Sequence, residues 1–434
     1  MVIDSTFQNK KSLTTYIITF IFIVGFQSFS YASDNYIQND TIGFNTYKGK
    51  VIDSKTKKAL IFASLMVNET NISTITNTQG KFLLKIPKKF KDHKITVSFL
   101  GYTSKVLNQT DLIDRKSIKL ETYIEELSEV NISMKDAKSI ISEVFKRKGK
   151  NYSDELTTMT AFYRETIKKR RSYVSLSEAV VEIDKQPYSK SRNDILKLYK
   201  SRKNTDYSRL DTVVFKLKGG PFNTLFIDIM KNPTLIFTED MFEIYDFTLG
   251  KSTKIDNRPI YVVNFKQKPR EKRPFFYGTL YIDAQSLALT NAKFNLNIED
   301  QEKASKYFIV KKPKGAKVHP IEASYQVDYR EKNGKWYYGY SRIQLGFKIN
   351  WDKKLFNTVY NTTIEMAVTD WEKNVANKLI KPKDRLRSSV IISDKASGFS
   401  DPEFWGAYNV IEPEKPIENA IKKIKKQLKK LNEN

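Results

Sequence analysis

The sequence of 434 residues contains no cysteine and only two histidines, His93 and His319. The missing cysteines exclude disulfide bonds, thiolate nucleophiles and cysteine-based zinc sites, and they leave no residue to carry the lipid of a bacterial lipoprotein. The two histidines lie far apart in the chain, so few histidine-based catalytic or metal-binding sites are possible. We therefore predict that the protein binds no metal ion and uses no cofactor.

Long apolar runs are also scarce, and the prominent one lies near the N-terminus. Residues 16–29 are mainly apolar, Lys10 and Lys11 precede them, and Ser30-Tyr31-Ala32 follows. This order is typical of a cleaved export signal, and about 13 apolar residues are fewer than the ~20 that a membrane-spanning helix needs. We interpret residues 1–32 as a signal peptide and expect no membrane-spanning segment in the mature chain. The expected location is the periplasm or the periphery of the outer membrane.

Negative charge is the scarcer sign, with 49 acidic residues against 75 lysines and arginines. Most of the resulting net charge of +26 falls in residues 132–434. The electrostatic field of so strong a positive charge attracts polyanions in general. In an exported protein it favours lipid or lipopolysaccharide over nucleic acid, and an outer-membrane protein is a further candidate partner.

Residues 45–133 have the pattern of a small antiparallel β-sandwich. Gly80 separates a polar segment from the alternating residues 82–86, which indicates a tight turn followed by a half-buried strand. Similar strand-and-turn units contain Gly49 and Gly101. In this order the motifs resemble the carboxypeptidase-regulatory-like domain, a transthyretin-like sandwich. The resemblance implies seven strands and a module that has no chemistry of its own.

A short helical linker is predicted at residues 134–150. Ser133 and Asp136 resemble a capping box in front of it. The apolar residues then follow the spacing of one helix face: Ala137, Ile140, Ile141, Val144 and Phe145. We expect this helix to join the sandwich to the next domain, with packing as its chief role.

Residues 151–385 predict a larger antiparallel β domain. Strand patterns follow one another from Met159, including strands at 212–217 and 242–249, and the short polar turns between them suit a meander. The segment 258–290 resembles the half-barrel of LolA-like lipoprotein carriers. That resemblance implies a curved, half-barrel-like sheet, with a second sandwich as the alternative. The expected fold class is therefore mainly β, with a few helices.

Four different short motifs lie in the second domain and after it: residues 161–165, 312–320, 334–337 and 401–406. Together they resemble an envelope family known as carboxypeptidase-like regulatory domain-containing proteins. The resemblance implies a protein of Gram-negative envelopes. It implies no particular activity.

One predicted helix is a candidate lid. Gly219-Gly220-Pro221 favours a helix start, and Pro233 favours its end. Its apolar side chains are expected on one face: Phe222, Leu225, Phe226 and Ile229. Because an antiparallel sheet often buries only one face, this helix could cover the concave side of the larger sheet.

Patterns that would indicate catalysis are weak. His319 and Glu322 have the spacing of the zinc-binding pair of metallocarboxypeptidases, but no second histidine follows them. Glu178 and Glu182 lie on one face of a predicted strand, where a solvated face explains them better than glycoside chemistry. The sequence has no Gly-x-Ser-x-Gly motif and no phosphate-binding glycine loop. We predict no catalytic residues.

Basic side chains supply the candidate ligand contacts. Arg164 is either a structural ion-pair partner or a contact for an anionic head group. Two basic runs are expected at hairpin tips, where they could form a head-group dock: Lys268, Arg270, Lys272, Arg273, Lys311, Lys312 and Lys314. The tail, residues 386–434, contains a predicted helix at 417–431 whose lysine-rich face suits either packing on the domain or contact with an anionic surface.

These features together favour a non-enzymatic, exported envelope protein with a binding or adaptor role. The expected ligand is a hydrophobic or anionic envelope molecule in the second domain. Two alternatives remain open, which are a hydrolase acting on peptide or glycan and a purely structural adaptor to an outer-membrane partner.

Overall fold

The computed structural model describes residues 43–113, 117–123, 136–205, 219–237, 240–308, 315–352, 355–396, 404–414 and 417. Strands dominate these residues, and the helices among them are short. A small two-sheet domain comes first and a large antiparallel sheet follows, so the predicted mainly β class is confirmed.

Seven strands build the N-terminal sandwich: β1 (Phe44–Asp53), β2 (Ser64–Val67), β3 (Ser73–Ile75), β4 (Lys81–Pro87), β5 (Ile95–Ser98), β6 (Lys105–Leu107) and β7 (Ile118–Leu120). They form two sheets, ordered β4-β1-β7 and β3-β2-β5-β6. Only the β1–β7 pair is parallel among these strands. Alternating apolar side chains from both sheets form a separate core, which includes Val51, Leu65, Leu84 and Val97.

The turn before β4 depends on Gly80. Its φ is +72°, and a Cβ at this position would lie 2.7 Å from the carbonyl oxygen of Val51. The side chain of Asn77 accepts hydrogen bonds from the backbone amides of Gln79 (2.9 Å) and Lys81 (3.0 Å) and closes the turn. A residue with a Cβ would be strained here, as the sequence pattern predicts.

Eleven strands form the large antiparallel sheet: β8 (Thr157–Lys169), β9 (Ser172–Lys185), β10 (Ile195–Thr205), β11 (Tyr245–Leu249), β12 (Thr253–Ile255), β13 (Arg258–Gln267), β14 (Phe276–Asp283), β15 (Leu289–Leu296), β16 (Ala316–Lys332), β17 (Lys335–Trp351) and β18 (Thr358–Lys373). Their order is β10-β9-β8-β18-β17-β16-β15-β14-β13-β11, with β12 beside β13. The chain therefore enters in the middle at β8, leads out to the edge at β10, crosses to the opposite edge and returns to β18. This path corrects the expected simple meander, because β8 pairs with the last strand, β18, as well as with its sequence neighbour β9.

Short helices connect and cover the strands. The α-helices are α1 (Ala137–Lys146), α2 (Lys148–Asn151), α3 (Pro221–Phe226), α4 (Gln301–Ser305) and α5 (Ile392–Lys395), and the 3-10 segments are Lys88–Phe90, Gln109–Leu112, Pro233–Leu235, Asp240–Ile244 and Pro382–Asp384. The Asp240–Ile244 segment corrects the predicted strand at 242–249, which begins only at Tyr245. The predicted strand at 212–217 lies outside the described residues.

One side of the large sheet, here called the helix-covered face, is filled by apolar side chains. Four residues of the predicted apolar stripe of α1 are buried on this face and the fifth, Phe145, is half-buried against them. Ile229 and Met230, which follow α3, are buried there too. Phe237 packs at the centre of an aromatic group that includes Phe145 and Phe265. The capping prediction needs one correction: Asp136 is itself the N-cap, accepting a hydrogen bond from the backbone amide of Ser139 at 2.8 Å.

The opposite side, here called the sandwich-covered face, carries the N-terminal sandwich and the segment 404–414. The Ser73 hydroxyl donates to the carbonyl oxygen of Val368 on β18 (3.3 Å), so the sandwich docks through β3. Asn409 receives a hydrogen bond from the backbone amide of Lys85 (2.7 Å) and donates one to its carbonyl oxygen (3.0 Å). The segment 404–414 is thus bonded to both the sandwich and the sheet, since the Ile411 carbonyl accepts from Arg164 at 2.7 Å.

Candidate ligand-binding site

A cavity of about 410 Å³ lies between the sandwich and the sandwich-covered face of the large sheet. Its sandwich wall is largely apolar and includes Phe62, Met66, Phe99 and Leu100. Its sheet wall is polar and is formed by side chains from β13, β15, β16 and β17. The two walls give the cavity one apolar and one polar side, an arrangement that suits a small amphipathic molecule.

The β12–β13 hairpin forms the rim of the cavity. Asp256 and Asn257 have φ values of +48° and +59°, the left-handed pair that a two-residue type I′ turn requires. This turn points at the sandwich, because Asp256 accepts a hydrogen bond from the Ser104 hydroxyl at 2.9 Å. The backbone amide of Gly101 also donates to the Lys254 carbonyl oxygen at 2.8 Å. The rim is therefore held to the sandwich by both backbone and side-chain bonds.

A carboxylate on β16 forms part of the polar wall. Asp328 accepts hydrogen bonds from the side-chain amide of Gln326 at 3.1 and 2.8 Å. Desolvation raises the pKa of Asp328, while hydrogen bonds from Asn291 and Gln326 and the charge of Lys293 act in the opposite direction. The carboxylate is thus oriented by an amide at the edge of the cavity.

Arg330 is the half-buried cation of the same wall. Its Nη1 donates to the Val368 carbonyl oxygen at 3.0 Å and also to the Ser73 hydroxyl. Its remaining donors, Nε and Nη2, have no hydrogen-bond partner among the described residues. Desolvation lowers the pKa of Arg330 to about 10, with Asp328 and Asp256 opposing the shift, so the guanidinium stays charged at neutral pH. It can therefore donate to a ligand oxygen that enters the cavity.

Phe62 places an aromatic ring between the cavity and the sheet. Its φ is +66°, which is uncommon for a bulky residue and is found where surrounding contacts enforce it. The ring lies 5.2 Å from that of Tyr340, and the guanidinium of Arg342 lies 4.7 Å from its centre. The strained backbone thus positions an apolar surface over buried charge.

Behind Phe62, charges of alternating sign cross five neighbouring strands in a row that we call the charge ladder: Arg342 (β17), Glu365 (β18), Arg164 (β8), Glu178 (β9) and Arg202 (β10). Glu178 is fully buried and contacts Arg164 Nε at 2.7 Å and Arg202 Nη2 at 2.7 Å. These arginines hold the pKa of Glu178 below its ordinary value although desolvation acts against them. The ladder corrects the interpretation of Glu178 as part of a solvated face.

The candidate ligand contact Arg164 belongs to this ladder. It is 2% exposed, and its guanidinium bonds to Glu178 and to the Ile411 carbonyl oxygen. This is the geometry of a structural ion-pair partner, the first of the two roles considered for it. Arg164 lies on the same face of the sheet as the cavity but does not line it.

The basic run at 268–273 forms the turn between β13 and β14, so it does lie at a hairpin tip. Lys268 lies 3.9 Å from Glu243, and the guanidinium of Arg273 stacks 5.3 Å from the ring centre of Phe275. Arg270 and Lys272 are exposed, and a groove of about 550 Å³ runs beside them. Lys311, Lys312 and Lys314 lie outside the described residues.

The candidate lid is a shorter helix than the pattern predicts. α3 ends at Phe226, and Ile229 is buried beyond its end. Leu225 is buried and Phe222 is half-buried, but Phe226 is 56% exposed, so the four residues do not share one face. This element packs on the filled helix-covered face rather than over a cavity, because Leu225 and Ile229 belong to its continuous core.

His319 and Glu322 both lie on β16, where a register shift occurs between Pro320 and Glu322. The histidine and the glutamate thus share one strand. Among the residues that the structure describes, no three histidine, aspartate or glutamate side chains are grouped as a metal site would need.

Sequence reasoning missed the residues of the cavity. Arg330, Asp328 and Phe62 lie on elements far apart in the chain, and none belongs to a recognisable motif. One local signal was available, since Asp256-Asn257 between two short β patterns favours a tight hairpin turn. It predicts the rim but not what the rim contacts.

Comparison with known proteins identifies the first part of the chain. Residues 47–132 match the profile of the CarboxypepD_reg-like domain, which confirms the regulatory-like prediction for this segment. No curated protein matches the chain in sequence.

Two solved structures are similar to this chain. A DUF1329 family protein from Desulfovibrio piger has 12% identity, covers 56% of this chain and 95% of its own, and has a TM-score of 0.23. A LolA superfamily protein from Nitrosomonas europaea has 9% identity, covers 58% of this chain and 99% of its own, and has a TM-score of 0.22. At these values the likeness to LolA-like proteins concerns the fold alone and identifies no ligand.

In the described part of the chain, no helix has the length and apolar character that crossing a membrane requires.

Proposed function

We propose that the protein binds a small amphipathic molecule in the cavity between its sandwich and its large sheet. The observation that carries the proposal is Arg330, a charged guanidinium whose Nε and Nη2 have no protein partner among the described residues and which borders an apolar wall. A carboxylate, sulfonate or carbonyl oxygen of the ligand would accept from Arg330. Its apolar part would lie against Phe62, Met66 and Leu100.

The proposed site differs from the one that the sequence favours. The helix-covered face is packed with apolar side chains and is covered by α1 and the residues around α3. The cavity on the sandwich-covered face exceeds the volume of about 300 Å³ at which small-molecule sites begin. Binding is therefore proposed at the junction of the two domains rather than inside the second.

A purely structural adaptor is the second candidate. The filled helix-covered face supports it, because a lipid carrier of the expected kind would keep that side open. In this case the cavity would hold only water, and the sandwich would present its other surfaces to a partner protein.

The first experiment is a fluorescence titration with 8-anilinonaphthalene-1-sulfonate, whose sulfonate and aromatic rings match the two walls. Arg330→Met should weaken binding about 10- to 100-fold, since a hydrogen bond to a charged group contributes roughly 1.5–3 kcal/mol. Arg330→Lys should give an intermediate loss, because it keeps the charge without the planar fork. Thermal unfolding of each variant checks that the fold is kept.

A blocking variant tests the place of binding. Ser64 lies on β2 and lines the cavity, so Ser64→Trp should fill it and abolish binding. Thr248→Trp, on the exposed edge strand β11, is the matched control and should bind as the unmodified protein does. Equal binding by the two variants would favour the adaptor. If Ser64→Trp does abolish binding, native mass spectrometry of the purified unmodified protein would identify the molecule that this variant excludes.

We further propose that the protein acts outside the cytoplasm, in the periplasm or at the outer-membrane periphery. The charged start, short apolar run and Ser30-Tyr31-Ala32 support this. Mass spectrometry of the mature protein should find Ser33 at its N-terminus.

A further inference from the structure

Five strand ends meet at one end of the large sheet: the ends of β8 and β17 and the starts of β9, β16 and β18. A small core of its own lies there, which includes Ile167, Val174 and Tyr360. The β17–β18 hairpin turns at this end. Its loop residues Leu355 and Phe356 are 91% and 73% exposed, the first and third highest values among the exposed large apolar residues of the described chain.

Two adjacent large apolar side chains in water are unfavourable unless something covers them, because burying apolar surface is favourable. We call Leu355 and Phe356 the apolar tip. The small core fixes the strands on both sides of the tip, because Ile349 and Tyr360 belong to it. The tip is thus presented by an anchored hairpin.

Cations surround the apolar tip. The β8–β9 turn lies beside it, since the backbone amide of Arg170 donates to the Val359 carbonyl oxygen at 2.8 Å and its side chain reaches the Asn357 carbonyl oxygen at 3.5 Å. The basic side chains at this end, which we call the basic collar, are Lys168, Lys169, Arg170, Arg171 and Lys317. One exposed carboxylate, Asp352, lies among them.

The geometry points to a membrane contact: we propose that the apolar tip inserts into the interface of a bilayer that contains anionic phospholipid, while the basic collar binds its head groups. Exposed apolar residues with flanking cations are the combination by which peripheral proteins bind such surfaces. The sign of the collar selects an anionic surface, and the small area of the tip suits insertion at the depth of the head groups rather than a stable protein interface.

The orientation that follows keeps the ligand cavity accessible. The tip lies near Ala316 at the start of β16, whereas Asp328 of the cavity lies further along the same strand. About twelve residues of extended strand separate them, which is roughly 40 Å. Ile417 is buried against Leu176, near the start of β9.

The test is co-sedimentation of the full chain with phosphatidylcholine vesicles with and without phosphatidylglycerol. The unmodified protein should bind only the anionic vesicles, and the double variant Leu355→Ser/Phe356→Ser should lose on the order of tenfold in partitioning for each side chain. The matched control is Ile113→Ser/Val375→Ser, which removes two apolar residues that are 70% and 77% exposed elsewhere. The control should bind normally.

The collar is tested with Arg170→Gln/Arg171→Gln, which should weaken binding about fivefold per cation at low salt. Screening should remove this difference at high salt. Lys381→Gln/Lys383→Gln, which removes two exposed lysines of residues 381–384, is the control and should have no effect.

A positive readout comes from Phe356→Trp, whose emission should shift to shorter wavelength with anionic vesicles alone. Undiminished binding by Leu355→Ser/Phe356→Ser would overturn the proposal and leave the lysine-rich residues 418–434 as the anchor. Absence of binding by the unmodified protein would overturn it as well, and the tip would then be a contact for a protein partner. Neither result would affect the cavity, because the titration with the sulfonate probe is done without vesicles.

Discussion

The two faces of the large sheet are completed in opposite ways. The helix-covered face is filled with apolar side chains, whereas the sandwich-covered face carries the charge ladder and a cavity. Arg164 and Glu165, neighbours in the sequence, show the difference. Arg164 is compensated by Glu178. Glu165 on the other face is buried, and among the described residues only the Tyr163 hydroxyl donates to it, at 2.8 Å. The apolar face stabilises the fold, and the polar face has the groups that can recognise a ligand.

The charge ladder should give the largest effect. Glu178→Ala leaves Arg164 and Arg202 buried without their partner, so the free energy of unfolding should fall by about 3–5 kcal/mol. Glu143→Ala, which removes solvent-exposed pairs with Lys146 and Arg147 on α1, should lower the free energy of unfolding much less, because water screens these pairs. Urea unfolding measures both. Similar losses in the two variants would mean that the ladder is not a coupled unit.

Packing should differ between the faces. Ile229→Ala creates a hole in the filled core and should cost about 2–5 kcal/mol. Met66→Ala should cost about 1 kcal/mol or less, because Met66 is half-buried and already borders the cavity, where part of its surface has no packing partner. Chemical denaturation of the two variants tests the comparison. A larger loss for Met66→Ala would show that the cavity is closed in solution.

Glu165 should make the helix-covered face sensitive to pH. Burial raises the pKa of Glu165 to about 7, with the Tyr163 hydrogen bond opposing the shift. Its folded pKa is therefore above its unfolded value, so the native state binds the extra proton and stability falls as pH rises from about 4.5 to about 7. Glu165→Gln should remove up to roughly 3 kcal/mol of this decline. The measurement is the free energy of unfolding of both proteins as a function of pH. The difference between them should change from about pH 4.5 to about pH 7 and stay constant at higher pH.

The smallest effect concerns the independence of the sandwich, whose proposed boundaries are residues 45–133. Its core is separate from that of the large sheet, so this segment should unfold cooperatively when expressed alone. Gly80→Val should destabilise it by about 2 kcal/mol, because it places a branched side chain at a positive φ. Gly334→Val in the full chain has a similar φ but no neighbouring atom within 4 Å, and it separates backbone strain from the clash. A segment without a thermal transition would show that the sandwich needs the sheet.

The sequence predicts elements whose signals are local. Gly80 and the alternation after it predict a turn and strand, and the spacing of residues 137–145 predicts α1 and its buried stripe. The prediction that Phe226 shares an apolar helix face with Ile229 is wrong. α3 ends at Phe226, so the helical spacing on which the prediction rests does not continue to Ile229.

The sandwich-covered face could not be predicted in the same way. Glu178 has the alternation of a solvated strand, and its burial depends on Arg164 and Arg202, which reach it only through the order of β8, β9 and β10. The cavity depends on the docking of Phe62 against Tyr340. These two residues are 278 positions apart in the sequence, but their rings are in contact in the structure. Charges on a strand do not reveal whether another domain will cover them.

The bonds between Asn409 and Lys85 have a consequence for solubility. β4 is an edge strand of the sandwich, and the backbone groups of an exposed edge invite pairing with a strand of another molecule. The side-chain amide of Asn409 donates and accepts as a neighbouring strand would, so it occupies one pairing position on β4. A protein that ends before residue 404 would uncover this edge, and its molecules would be prone to join strand to strand.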